Sequence, residues 1–434
     1  MNTTNDFTDP RNYRRQISNP LAGTHNAEEA SKASHQGVNN GRSGHSVYRR
    51  DDMDFTLTEE HHMIREACRK FAEKSLKPKA SEYDKTHEFP WEHVKKLGEM
   101  GMMGVVYPEE YNGSAMDYLS YAIAVEEISR GCASTGTIVS AHNSLCLSPI
   151  YYFGTEDQKK SFLPSLTTGE QVGCFAITEP GAGSDASGTK TKAERKNGSW
   201  ILNGTKNFIT NGGVAEVAVV MAATTRGTGS KGLSMFVVPK GSKGFSVGKV
   251  EDKLGICASS TTELVFDDCE IPAANILGQE GQGFKIAMHT LDGGRVGIAA
   301  QAVGIAQAAM DEAVRYAKER VQFNQSLSKF QAIQWMIADM ATEIEAARLL
   351  VYQAAEMIGS GERQKYSKYA AMAKLFASET SHRVCHKALQ IFGGYGYVKE
   401  FPMERFYRDS RITEIYEGTS EIQRMVISNS VLSE

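Results

Sequence analysis

Long apolar runs are missing from this 434-residue sequence, whose longest uninterrupted one is Val217 to Ala223. A helix that crosses a bilayer needs about 20 such residues, so no membrane span is expected. Charge of one sign is missing too: 48 Lys and Arg stand against 52 Asp and Glu, a formal charge of -4. Nucleic acid as a main partner usually demands a basic face, so that class is disfavoured. Cysteine is sparse and odd in number, with Cys68, Cys132, Cys146, Cys174, Cys257, Cys269 and Cys385 scattered and no C-x-x-C pair among them. That pattern predicts reduced thiols and an intracellular, soluble protein.

What is present falls into blocks. Residues 1–53 are rich in Asn, Ser, Thr, Gly and His without helical or strand period, which predicts a disordered head. An import sequence, a tag or a start codon placed upstream of Met53 would each account for it, although Asp6, Asp9, Glu28 and Glu29 depart from the acid-poor composition of import peptides. Residues 54–170 read as a helical domain. Thr56 or Thr58 can cap a helix with Met63, Ile64, Ala67, Phe71 and Leu76 on one face; Pro90-Trp91 opens a second, Tyr118 to Ser129 reads as amphipathic, and Thr137 to Phe153 is apolar with breaks. Across residues 171–280 the pattern becomes short β-rich runs (Phe175–Thr178, Ser199–Leu202, Asn207–Thr210, Val217–Met221, Ser234–Val238, Leu264–Phe266), with turns expected at Asn197-Gly198, Asn203-Gly204 and Asn211-Gly212. An antiparallel β domain, a small barrel or sandwich, is predicted there. Within residues 281–434 four long helices are expected, Phe284–Val321, Lys329–Ile358, Tyr366–Phe392 and Glu417–Leu432, forming a four-helix bundle. Helix and strand are segregated, so the class is α+β and a doubly wound sheet is disfavoured.

Four places could carry chemistry. Gly181-Ala182-Gly183-Ser184-Asp185-Ala186 has the letters of a dinucleotide loop, but Ala186 to Lys196 lacks the apolar helix that must follow. A plain surface loop is one alternative; a loop whose N–H groups and the hydroxyls of Thr178 and Ser184 face an anionic or carbonyl-rich ligand is another. His382 and His386 have chelate spacing, yet His-Arg-Val-Cys-His lacks the glutamate of a metal hydrolase and a third ligand, so surface histidines are favoured and no metal is expected. Gly393, Gly394 and Gly396 break a helix at about 1 kcal/mol each, either as a cap or to leave room for a flat ligand. Finally, Ile415-Tyr416-Glu417-Gly418-Thr419 places a carboxylate at a loop-to-helix junction. Glu417 is either a first-turn acid favoured by the helix dipole or a general base whose desolvation tunes its basicity.

Together these motifs resemble the acyl-CoA dehydrogenase flavoenzymes. Ala176-Ile-Thr-Glu-Pro-Gly-Ala-Gly-Ser-Asp185 is similar to the family's first signature, Gln390 to Asp409 to its second, and Arg320-Val-Gln-Phe323, Phe330-Gln331 and Tyr416-Glu417-Gly418-Thr419 fall in the family's order. The likeness runs from about Asp54 to Ser433. It implies FAD, contacted by Phe175, Ala176, Ile177, Thr178, Gly183, Ser184, Phe208, Ile209, Thr210, Phe323, Thr419, Ser420 and Glu421, and from a neighbouring subunit by Arg320, Gln331, Gln390, Ile391, Phe392, Gly393 and Gly394. It implies an acyl-CoA substrate touched by Ser184, Asp292, Arg295 and Gly418; without the resemblance, Asp292 and Arg295 read as a surface helix pair. Glu417 would be the base for the α-proton, flavin N5 the hydride acceptor, and electron-transfer flavoprotein the next carrier. Isovaleryl- and long-chain-type members carry the base immediately before the equivalent of Arg295; here that place is Gly294, and the phrasing of Asp409 to Arg424 most resembles the short-chain, butyryl-CoA group. Medium-chain or short-branched specificity, an oxidase using dioxygen, and a noncatalytic CoA- or flavin-binding protein are the alternatives. A homotetramer is implied, in the mitochondrial matrix of a eukaryote or the cytoplasm of a bacterium.

Overall fold

The computed structural model describes residues 57–225, 227–359 and 363–433. The expected head, and Thr56 as a cap, lie outside the described residues. Thr58 does cap α1 (Glu59–Phe71): its side chain accepts from the His61 N–H at 3.2 Å while His61 Nδ1 accepts from the Thr58 N–H at 3.3 Å. Helices α2 (Lys77–Thr86) and α3 (Trp91–Glu99) follow, then α4 (Tyr118–Gly131), α5 (Ala133–Ala141), α6 (Ser148–Phe153) and α7 (Glu156–Thr167). The amphipathic expectation for Tyr118–Ser129 is corrected: α4 is buried on nearly every face, Glu126 and Glu127 included. Those carboxylates are held by Arg348 at 2.9 Å and Arg69 at 2.5 Å, so a polar period in the sequence became a buried ion-pair period in the fold.

The strands are β1 (Gly173–Ala176), β2 (Lys192–Lys196), β3 (Ser199–Thr210), β4 (Val217–Ala223), β5 (Leu233–Pro239), β6 (Phe245–Val250), β7 (Thr261–Pro272) and β8 (Ile276–Leu277). They form one sheet in the order β6-β7-β3-β2-β4-β5-β8, with β1 parallel on β4 and most other pairs antiparallel. Asn197-Gly198 makes the expected β2–β3 turn, both residues at positive φ. Asn203-Gly204 does not turn. There β3 runs on with a register shift, Asn203 pairs its side chain with Asp268, and Gly204 lets Thr191 pass where a Cβ would lie 2.7 Å from its Cα. Neither β2 nor β6 was legible, because both are mostly exposed and polar.

Past the sheet come α8 (Gly283–Glu319), a short hairpin of β9 (Val321–Gln322) and β10 (Gln325–Ser326), α9 (Gln331–Gly359), α10 (Arg363–Phe392), α11 (Met403–Arg411) and α12 (Ser420–Ser433). The four expected helices are there, with α11 in addition. At 37 residues α8 is about 55 Å long and its glycines and alanines let it run close past α4 and α5. At Gly297 a Cβ would lie 2.3 Å from both Ser140 Oγ and Tyr121 Oη. One apolar core joins the N-terminal helices to α8, α9 and α10, a second joins α6 and α7 to one side of the sheet, and a third fills its other side.

Candidate active site

Tyr416, Glu417 and Gly418 form the turn that leads into α12. Glu417 takes φ +55° and Gly418 φ +93°, an expensive conformation for a residue with a side chain. The turn is fastened on each side. The Tyr416 hydroxyl donates to Gln301 Oε1 on α8, and Gln301 Nε2 donates to Thr137 Oγ1 at 2.7 Å and to the Ala133 carbonyl at 3.2 Å. Gln423 Nε2 donates to the carbonyls of Glu417 at 3.1 Å and Gly418 at 2.8 Å, and Lys374 Nζ on α10 donates to the Gly418 carbonyl at 2.7 Å. Glu417 therefore precedes α12 rather than opening it, and the first-turn reading is corrected.

The carboxylate faces a narrow cleft, too tight in this structure for a free water-sized sphere, lined by Thr137, Ser140, Ala141, Ser144, Leu145, Thr210, Gly294, Ile298 and Tyr416. Among the described residues no donor or ion pair within 4 Å engages it, and its desolvation pushes the Glu417 pKa up to about 7 against the opposing pull of Lys374 and Arg295. A carboxylate in this setting has the geometry and the basicity that a general base requires. Gly294 makes room for it: a Cβ there would stand 3.1 Å from Glu417 Oε2 and 2.7 Å from Leu145 Cδ2. The surface-pair reading of Asp292 and Arg295 is also corrected, since their 2.7 Å ion pair is 1% and 4% exposed on the inner face of α8.

On the sheet side, Glu179 and Lys206 meet at 2.8 Å in the interior, and Glu179 also accepts from the N–H groups of Lys190 and Thr191. Lys206 donates a second time, to the Ile177 carbonyl at 3.0 Å, so one buried pair braces both ends of the 177–191 segment. That segment makes a tight turn and a single turn of 3-10 helix before β2, which disposes of the dinucleotide-fold reading. Phe175 and Ala176 are buried on β1, Ile177 and Thr178 half-buried, Gly183 and Ser184 exposed. A register shift in β3 leaves Phe208 62% exposed at φ +57°, while Ile209 is buried and Thr210 reaches the Glu417 pocket.

A second, separate hollow of about 770 Å³ is lined by Arg320, Ile391, Phe392, Gly393 and Gly394 with Tyr316, Gln322, Leu327, Tyr395, Val398, Glu400 and Phe401. Phe323, Gln331 and Gln390 are exposed. Among the described residues the linings of these two hollows share none; of the first expected set of cofactor contacts Thr210 lines one, and of the second set Arg320 and Ile391 to Gly394 line the other. A large ligand fits what is here: among the described residues a Cβ at 181, 183, 393 or 394 would meet nothing within 4 Å, and Ser420 Oγ is buried without a partner. Thr419 caps α12 and Glu421 is exposed. His382 and His386 lie beside the Tyr407 ring, and no group of three candidate metal ligands occurs among the described residues.

Three family models match in series: the acyl-CoA dehydrogenase N-terminal domain over residues 58–170, the middle domain over 174–269 and the C-terminal domain over 281–432. The chain belongs to the acyl-CoA dehydrogenase family. It is thus an FAD-dependent oxidoreductase. Among curated relatives, the short-chain specific acyl-CoA dehydrogenase of Clostridium acetobutylicum is 54% identical over 379 residues, 87% of this chain and all of that one. Butyryl-CoA dehydrogenase from Megasphaera elsdenii is 48% identical with a TM-score of 0.86, covering 88% of this chain and all of that one. A chain from a structural study of the electron transferring flavoprotein of Acidaminococcus fermentans is 52% identical with a TM-score of 0.87 over the same shares.

Several residues of this acyl-CoA dehydrogenase site escaped the sequence analysis. Lys374, Gln301 and Gln423 hold the turn of Glu417, and Lys206 braces the glycine loop. A signal existed for two of them: Gln301 and Lys374 are single polar residues in stretches of small apolar ones, Ile298 to Ile305 and Ala370 to Ala377. A helix interior that spends a long polar side chain among alanines has a partner for it.

Proposed function

We propose that this acyl-CoA dehydrogenase oxidises short-chain acyl-CoA thioesters, butyryl-CoA among them, to trans-2-enoyl-CoA with Glu417 as the base, and that its electrons pass to an electron-transfer flavoprotein. One observation carries the reading: a carboxylate lining a narrow pocket with no donor among the described residues. The α-proton of a thioester is weakly acidic, so its removal needs a positioned base and a polarised carbonyl. Glu417 accepts that proton and becomes neutral, the form its desolvation favours. The Glu417 N–H, held in place by the fastened turn, is the chain's own donor to the thioester oxygen. Bound FAD supplies the acceptor for the β-hydride. Phe175 to Thr178, Gly183, Ser184, Phe208 to Thr210 and Thr419 to Glu421 would hold it on one side; Arg320, Phe323, Gln331 and Gln390 to Gly394 of a neighbouring subunit would hold the other. Ser184, Asp292, Arg295 and Gly418 would meet the CoA part of the substrate.

The length preference rests on the narrowness of the pocket that Tyr416 and Thr137 line, the two residues that Gln301 bonds together. The short-chain and butyryl-CoA names of the relatives point the same way, and the flavoprotein study gives the electron partner its support. Two separate half-sites favour a homo-oligomer, a tetramer in this reading, placed in the mitochondrial matrix or bacterial cytoplasm according to source.

The test is Glu417→Gln. The variant should keep its flavin absorbance, yet anaerobic butyryl-CoA should no longer bleach it, a loss of at least about 1,000-fold in reduction rate if no other group takes the proton. In the parent enzyme kcat/KM should rise with pH through about 7, because the base must be ionised to act. Undiminished bleaching in the variant would remove Glu417 from the role.

A further inference from the structure

We propose that Lys374 is a positioning residue for the base: its ammonium pins the carbonyl one residue past Glu417 and, by its charge, keeps the Glu417 carboxylate ionised between turnovers. The inference rests on the reading of Glu417 as base. Lys374 has no exposed surface and sits on α10 with Ala370, Ala371, Ala373 and Ala377, all fully buried. Lysine is almost never placed this way without an anion. Among the described residues its Nζ makes one hydrogen bond, to the neutral carbonyl of Gly418, and no ion pair within 4 Å.

That hydrogen bond does not by itself account for a lysine. The Gly418 carbonyl already accepts from Gln423 Nε2 at 2.8 Å, so the turn would stay fastened under an uncharged side chain. What the amide of Gln423 cannot supply is charge. The groups facing Lys374 are Glu417 in the same turn, Arg295 from α8, Glu414 from the turn before and Glu421 from α12, and Glu417 contributes most. Seen from Glu417, the two opposing cations are Lys374 first and Arg295 second. Arg295 is already engaged with Asp292 at 2.7 Å, which leaves Lys374 as the cation with no carboxylate in contact. Burial pulls the Lys374 pKa down and pushes the Glu417 pKa up, and the charge of each opposes that shift in the other, so the charged form of each leans on its partner. When Glu417 takes the substrate proton, the ammonium loses its anion, and that imbalance favours return of the proton to solvent before the next turnover.

The test uses the FAD-loaded enzyme and Lys374→Gln, which keeps a donor for the Gly418 carbonyl and deletes the charge. Lys374→Met, which leaves no polar atom to bury, serves if the amide is not tolerated, and Lys374→Arg is the charge-retaining control. Two midpoints are read: the acid limb of kcat/KM, and the pH at which the protonated-carboxyl infrared band of Glu417 disappears, assigned as the band absent from Glu417→Gln. Both should move up by a unit or more in the neutral variants, a tenfold or greater loss of rate on the acid side that is recovered at high pH, with KM little changed. Lys374→Arg should restore both toward the parent values. An unmoved infrared midpoint in folded, flavin-loaded Lys374→Gln overturns the proposal. A midpoint that moves while Glu417→Gln stays active convicts the base reading instead and leaves the coupling of the two residues standing.

Discussion

At the scale of a residue, Gly294 matters for the space it leaves. A Cβ at the place just before Arg295 would stand 3.1 Å from Glu417 Oε2, so a carboxylate reaching in from either position would enter the same pocket. Under the proposed role of Glu417, this gives a geometric reason why a base on α8 and a base before α12 would be interchangeable solutions. It also makes position 294 intolerant of growth. Gly294→Ala would place a methyl 2.7 Å from Leu145 Cδ2 and 3.1 Å from Glu417 Oε2, closer than either can stay. Overpacking of this size costs about 1–3 kcal/mol, and part of the relief would come from displacing the carboxylate. The expected outcome is a kcat with butyryl-CoA lowered tenfold or more while flavin absorbance and helix content are retained. Steady-state kinetics beside a visible spectrum would check it, and an unchanged kcat would mean that Leu145 alone yields.

At the scale of an element, α8 is the organising piece: it is buried all round its middle turns and carries Asp292, Gly294, Arg295 and Gln301 to the surroundings of the site. Gln301→Ala would leave the Tyr416 hydroxyl and Thr137 Oγ1 without their shared partner, a loss of about 1–3 kcal/mol. It would also release Tyr416 and Thr137, two residues that line the pocket. The ratio of kcat/KM for hexanoyl-CoA to that for butyryl-CoA should rise several-fold while the melting temperature falls; a lower melting temperature with an unchanged ratio would show that Gln301 braces Tyr416 without limiting chain length. The helices were legible because their apolar period is set by burial, and the α+β order followed from it. Gln301 and Lys374 were not, because a contact between helices far apart in sequence leaves no local period, only an out-of-place polar letter. The course of β3 misled for a related reason: Asn203-Gly204 is a good turn in isolation, but Asp268 on β7 engages the asparagine side chain and keeps the strand extended. Glu417 itself was legible as a candidate; its left-handed backbone, which takes it out of the helix's first turn, was not.

At the scale of the molecule, the large hollow at the α8–α10 end asks for a covering. Phe323, at the tip of the β9–β10 hairpin, is 87% exposed at φ +50°, and Tyr395 and Val398 in the hollow's wall are 48% and 41% exposed, with the Arg320 guanidinium 5.5 Å from the Tyr395 ring centre. Aromatic residues and arginine grouped in this way are what the core of a protein interface uses, whereas a lone soluble chain gains nothing from a rigid, water-exposed phenylalanine. A second copy of the chain, bringing its own flavin, is the occupant that would bury them and complete the contacts that one chain leaves in two separate places. Phe323→Asp sets a charge at that contact without touching the Glu417 pocket. Light scattering after gel filtration should then give a smaller assembly than the parent, and the same fractions should have lost flavin absorbance, because each subunit's cofactor would be held partly by its neighbour. A variant that shrinks but keeps its flavin would assign the hairpin to assembly alone; a parent protein that is monomeric with FAD bound would mean that one chain holds the cofactor by itself, and the role given to Arg320, Gln331 and Gln390 would have to be withdrawn.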